Sequence, residues 1–169
     1  MIRKLLITTL IVRLAKFIKS TVATIAVEFA ILLFPFVLLL VAIIETGYVA
    51  LTTTVIDGAV ASASRQVRTG IIQGSGDPIA EFRKVLCAEV NLVINCTLLQ
   101  IDVQNFKSFP DPGNLPPPGN TFLPGGAEDY TLVRVSYNWK YITPFLQELT
   151  QPGGNRYIAT AIFKIEPFE

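Results

Sequence analysis

The 169 residues carry fourteen basic and thirteen acidic side chains, a net charge of +1, and no histidine. The missing imidazole removes the commonest general base, the commonest zinc ligand and the usual partner of a nucleophilic triad. Half of the chain, 51%, is apolar and the mean hydropathy is +0.50, which suits one membrane segment beside one small domain.

The charge is unevenly placed. Arg3, Lys4, Arg13, Lys16 and Lys19 lie in the first twenty residues with no acid among them, whereas from Thr24 onward nine basic residues face thirteen acidic ones, a net of −4. The positive-inside rule puts the basic leader in the cytoplasm and the remainder across the membrane. The mildly acidic remainder gives no reason to expect nucleic-acid binding.

Ile25 to Ile44 is a twenty-residue apolar run, long enough to span the ~30 Å hydrocarbon core of a bilayer. It exceeds the apolar core of a cleaved secretory signal, and the small-residue triplet Ala61-Ser62-Ala63 lies too far beyond it to serve as an ordinary signal cut. One carboxylate, Glu28, interrupts the run near its start, and an acid at that depth is costly in lipid. From Thr24 to about Arg68 the pattern predicts one long helix. It is apolar all round at first and mixed after Glu45, with Tyr48, Val49, Thr52, Val55, Ile56, Ala59 and Val60 recurring at steps of three and four. Such a helix measures about 65–70 Å, so its second half should protrude and pack on the domain. Pro35 removes a backbone donor and predicts a kink, Gly47 loosens the membrane exit, and Thr52-Thr53-Thr54 is a weak helix former.

Gly70 to Gly76 breaks the helix. Asp77 then caps a second one, with Pro78 at its first position, Glu81 in its first turn and Ile79, Phe82, Leu86 and Val90 on one face. Cys87 lies on this helix or near its end, and Cys96 begins the next segment. In an oxidising compartment the two are expected to form a disulfide, with two buried thiols as the other possibility.

Leu98 to Phe106 alternates as a half-buried strand, with Leu99, Ile101 and Val103 on one face and Gln100, Asp102 and Gln104 on the other. Pro110 to Gly126 holds six prolines and four glycines in seventeen residues and reads as an exposed loop. In the next strand Val133, Val135, Tyr137, Trp139 and Tyr141 alternate with Arg134, Ser136, Asn138 and Lys140. Beyond PFLQEL and the turn Gln151-Pro152-Gly153-Gly154, Arg156 to Ile165 forms a last strand, antiparallel to its predecessor.

The expected fold class is therefore α+β. Residues 1–23 form a basic cytoplasmic leader and 24–69 a transmembrane and protruding helix. Residues 70–169 form a periplasmic head of one further helix and about three antiparallel strands, with the Pro/Gly-rich loop at 110–126. Tyr137, Trp139 and Tyr141 are read as core packing, Arg65 and Arg68 as a solvated helix face, and Glu166-Pro167-Phe168 as the end of the last strand. No residue pattern calls for a cofactor or a metal. An enzyme would have to use carboxylates such as Glu128 and Asp129, which are adjacent loop residues with solvation as the simpler account.

The string Ala26-Val27-Glu28-Phe29-Ala30, Pro35 seven residues after the Glu, and Ile43-Ile44-Glu45-Thr46-Gly47 together resemble the TadE-like minor pilins, or pseudopilins, of the tight-adherence (Tad, Flp) type IV pilus system. Ala159 to Phe168 resembles the closing motif of that family, and the cysteine pair before the first strand also fits. The resemblance covers the N-terminal helix closely and the head loosely. It implies a pilin-like fold, no enzymatic activity, and a role in pilus assembly and surface adhesion. The implied partners are a prepilin peptidase, other pilins, Tad inner-membrane assembly proteins and membrane lipid. It also implies a single-pass bacterial inner-membrane protein that can enter the extracellular pilus after processing.

In such precursors the Glu is the fifth residue of the mature chain, which places the processing junction between Ala23 and Thr24. The family usually has Gly before the cut; Ala23 is small enough to be accepted there. Glu28 is the implied assembly charge, able to pair with the new terminal amine of a neighbouring subunit. For Glu45, at the lipid exit, solvation is the first reading and a subunit contact the second. The alternative for the whole protein is an uncleaved inner-membrane accessory protein whose head binds another component of the machine.

Overall fold

The structure, a computed structural model, describes residues 21–139, 141, 143 and 155–167; residues 1–20 of the basic leader 1–23, the PFLQEL segment and the Gln151–Gly154 turn lie outside the described residues. Helix α1 runs over Thr21–Arg68 and α2 over Pro78–Val90; strands β1, β2 and β3 run over Leu99–Phe106, Tyr130–Asn138 and Arg156–Lys164. The layout is α+β, as the sequence predicts. By contacts the chain divides within α1, into a unit that ends at Ile44 and a second unit over Glu45–Glu169.

Helix α1 continues unbroken through Pro35 and Gly47. The threonine run is helical, and the Thr53 and Thr54 hydroxyls both donate to the Ala50 carbonyl at 2.9 Å. Gly70, at φ 77°, turns the chain after the helix in a conformation that glycine adopts without a Cβ clash, and the Gln73 amide donates to the Val67 carbonyl at 2.9 Å. Helix α2 begins as its sequence dictates: the Asp77 side chain accepts from the Ala80 N–H and Pro78 takes the first turn. Of its four expected inner residues, Phe82, Leu86 and Val90 are buried and Ile79 is exposed. Ile79 sits in the first turn, one residue after Pro78.

The strands form an antiparallel meander in the order β1-β2-β3, with Leu99 opposite Tyr137 and Tyr137 opposite Tyr157. Strand β2 ends at Asn138, so Trp139 and Tyr141 lie beyond it. One continuous core joins Ile56, Ala59, Val60, Ala63 and Val67 of α1 to Phe82, Leu86 and Val90 of α2 and to Leu99, Ile101, Val103, Val133 and Val135 of the sheet. Burying each large apolar side chain of this kind is worth roughly 1.5–3 kcal/mol. The Cys87–Cys96 disulfide fastens the end of α2 to the turn entering β1, with a Cα–Cα distance of 5.4 Å.

The opposite face of the sheet departs from the simple alternation. Asp102, expected to face solvent, is buried and is paired across the strands with buried Arg134. The Arg134 Nε donates to the Asp102 carboxylate at 3.0 Å, Nη1 donates to the Pro116 carbonyl at 2.7 Å, and Nη2 also reaches the Pro117 carbonyl at 3.3 Å. The Pro/Gly-rich segment is therefore packed onto the sheet rather than left as a free loop. Prolines lack an N–H but keep a carbonyl, and these carbonyls complete the guanidinium's hydrogen bonding. Farther along, Thr121–Leu123 lines the outer edge of β1: the Val103 N–H donates to the Thr121 carbonyl at 2.7 Å and the Leu123 N–H to the Val103 carbonyl at 2.8 Å.

Burial pushes the Asp102 carboxyl up, but hydrogen bonds from Arg134, Gln104 and the Gly119 and Thr121 backbone outweigh it and hold the group below its ordinary 3.8. The stabilisation this pair contributes is full above pH 3.8 and is lost as the pH falls through the lower folded-state value. Asp102→Ala strands a buried guanidinium and should cost about 3–5 kcal/mol in chemical denaturation of the solubilised protein. Replacing both partners, Asp102→Leu with Arg134→Met, should recover most of that loss. Reduction of the disulfide should cost about 2–3 kcal/mol and lower the melting temperature; an unchanged melt under reducing conditions would contradict the bridge.

Candidate assembly helix and its anchorage in the head

In the first unit, α1 is long and apolar enough to cross a membrane, with a mean hydropathy of 2.9 over its most apolar window. From Thr24 to Ile44 its side chains are exposed save for half-buried Leu38 and Ala42. Large apolar groups around the whole circumference, Phe29, Leu32, Phe34, Leu39 and Ile44 among them, are left for lipid or for other helices. Glu28 is an exposed carboxylate within this surface, one helical turn after Thr24. The Ala23–Thr24 peptide bond falls inside the first turn of the helix.

Glu45 opens the second unit, and here solvation fails as an explanation. Its residue is only 3% exposed, and the Thr143 N–H donates to Oε1 at 3.4 Å. A carboxylate removed from water at this position requires polar partners from the head. The protein supplies one from a segment 98 residues away in sequence.

Above Glu45 the helix is tied to the head at several levels. The Tyr48 hydroxyl donates to the Val93 carbonyl at 3.0 Å, and the Tyr48 ring packs 5.3 Å from Trp139. Tyr137 and Tyr141 pack on the same indole at 5.7 and 6.4 Å, so the aromatic stripe of the sequence is a cluster gathered around Trp139. The Tyr157 hydroxyl donates to Asp57 at 2.7 Å; burial and then the neighbouring carboxylate push its pKa up to about 12. At the far end of the helix, Arg68 pairs with Glu166 at 2.9 Å and its carbonyl accepts the Glu166 N–H at 2.9 Å. Arg68 is thus exposed but engaged, and Glu166 clasps the end of α1 rather than merely closing β3.

The adjacent Glu128 and Asp129 do not form an acid/base pair. Asp129 is committed to Lys107 at 2.8 Å and to the Gly126 N–H at 3.2 Å; the Lys107 hydrogen bond holds its carboxyl below the ordinary range. Exposed Glu128 reaches Lys164 at 3.5 Å. Among the described residues, no group of three or more Asp, Glu or Cys side chains could hold a metal ion.

The buried Asp102–Arg134 pair was missed in reading the strands by alternation alone. Its signal is present in the sequence: each is the sole charge of an otherwise uncharged strand. The burial of Glu45 has no comparable local sign, because its partner comes from distant chain.

No curated protein and no solved structure matches the chain. The family model for TadE-like protein matches residues 23–65, the stretch that holds the Ala23–Thr24 bond, the exposed apolar surface, Glu28 and most of the helix built into the head. TadE-like proteins are structural or accessory components of the Tad pilus rather than enzymes, and over residues 23–65 this chain is similar to them.

Proposed function

We propose that the protein is a minor pilin of a tight-adherence pilus, made as a membrane-anchored precursor and trimmed by a prepilin peptidase after Ala23. The observation that carries this reading is the coincidence of the TadE-like match, over residues 23–65, with a helix whose first half is apolar, exposed and marked by a single early carboxylate. In this account the basic leader stays in the cytoplasm, residues 24–44 cross the inner membrane, and the head stands on the periplasmic side. Cleavage leaves a charged amine on Thr24. The Glu28 carboxylate of one subunit then meets the amine of the next as their apolar helices bundle. Each charge is costly alone in a low-dielectric surrounding, and pairing offsets most of that cost, so the pair sets the register of docking. The protein's contribution to adhesion is then structural: it helps to build or prime the filament.

Ala23 in place of the family's usual Gly favours a second reading, an uncleaved accessory protein whose helix only anchors and whose head binds another component. Glu28→Ala separates the two. For a processed pilin, the variant should be cut normally while pili recovered by shearing the cells fall to a small fraction of the wild-type amount. Normal piliation by the variant would contradict the charge pairing, and full-length protein confined to the membrane fraction would favour the anchor.

A further inference from the structure

A three-stranded meander has two outer edges, and here the two differ. Along β1, the Thr121–Leu123 segment bonds to both the N–H and the carbonyl of Val103. Strand β3 has no such cover. The Trp139 N–H donates to the Asn155 carbonyl at 2.6 Å and the Ile165 N–H to the Asp129 carbonyl at 2.8 Å, one at each end of the β2–β3 ladder. Backbone groups along an antiparallel strand point alternately to one side and the other. The odd-numbered residues of β3 therefore bond to β2, and Ile158, Thr160, Ile162 and Lys164 turn their N–H and carbonyl groups outward. Among the described residues, nothing bonds to that outward row. Glu166, next in the alternation, uses its outward N–H on the Arg68 carbonyl of α1 at 2.9 Å.

The open row borders a cleft of about 520 Å³, lined by Ala61, Ser64, Arg65 and Arg68 of α1 and by Phe163 and Glu166. Ala61 is exposed and Phe163 half-buried. Of the charges in the cleft, Arg68 and Glu166 neutralise each other. Arg65 makes no ion pair among the described residues, and Glu89, which lines a neighbouring hollow with it, does not reach it. The other charged groups along the edge are engaged: Asp57 by the Tyr157 hydroxyl, Lys164 by Glu128, and Arg156 by Gln100 and Ser136. The cleft is left with one unmatched positive charge.

An unpaired strand edge is a template for an added strand, whose main chain supplies the missing hydrogen bonds while its alternate side chains enter adjoining pockets. We propose that the β3 edge is a strand-addition site for another protein. The occupant is an extended segment, apolar where it passes Phe163 and Ala61 and carrying an acidic side chain for Arg65. A second copy suits the edge poorly. Strand β3 runs along α1 in the same sense, since Tyr157 meets Asp57 and Glu166 meets Arg68. Two β3 edges paired antiparallel would reverse one α1 against the other, and the Glu45 ends that lead into the apolar runs would face opposite ways. Copies whose residues 24–44 enter one membrane from the same side cannot pair so. The site serves a trimmed pilin and a plain anchor alike.

The probe is a fluorescein-labelled, blocked peptide of alternating valine and threonine with a glutamate at each end, so that either strand direction can meet Arg65. It is titrated against the full chain in detergent micelles. The expected result is a saturable rise in anisotropy. Thr160→Pro removes an outward N–H and spares the β2 ladder, because proline is tolerated where an edge N–H faces away from the sheet. It should abolish the binding, whereas Thr160→Ala should bind as the wild type does. Arg65→Glu, at an exposed helix position, should weaken binding about tenfold or more, since like charges then meet. No saturable binding, or equal binding by Arg65→Glu and wild type, would overturn the proposal. So would undiminished binding to Thr160→Pro protein that keeps the wild-type melting temperature. A full-length dimer that Thr160→Pro dissolves would give the edge to a second copy and overturn it as well. None of these outcomes depends on Glu28 or on cleavage after Ala23.

Discussion

Ile56, Ala59, Val60, Ala63 and Val67 of α1 supply one wall of the core that α2 and the sheet close. The same helix carries the exposed apolar run up to Ile44. A small head with three strands and one short helix has little surface of its own to bury, so it borrows that wall. The part of α1 beyond Glu45 therefore belongs to the fold of the head. A substitution such as Ala63 to a larger residue acts on the packing of the head, whereas one at Phe34 acts on whatever surrounds the run.

The elements that a local rule governs were legible in the sequence. The Asp77-Pro78 start of α2, the alternation of Leu99, Ile101 and Val103, and the antiparallel last strand each follow from capping or from a two-residue period. What escaped depends on distant chain. Asp102 looks like an outward strand residue until Arg134 is placed opposite it. The proline-rich segment looks like a passive loop until its carbonyls are seen to receive the same guanidinium. Glu45 looks solvated until a backbone N–H from Thr143 meets it. Burial of a charge is a property of pairs, and hydrophobic periodicity describes residues one at a time.

The candidate site divides in the same way. The apolar run with its early carboxylate could be read directly, because its chemistry lies within a few turns of one helix. The way the helix is held could not: the Tyr48–Val93, Tyr157–Asp57 and Arg68–Glu166 contacts join residues at least 45 positions apart. These side-chain ties, together with the core, fix the part of α1 beyond Glu45 in the head.

The most direct measurement of the central claim is the intact mass and N-terminal sequence of the protein from native membranes, with the prepilin peptidase present and absent. A chain that begins at Thr24 only when the peptidase is present is the predicted result, and it would fix Glu28 as the fifth residue of the mature subunit. A chain that retains its basic leader in both samples would contradict the processed pilin and leave the helix as a plain anchor.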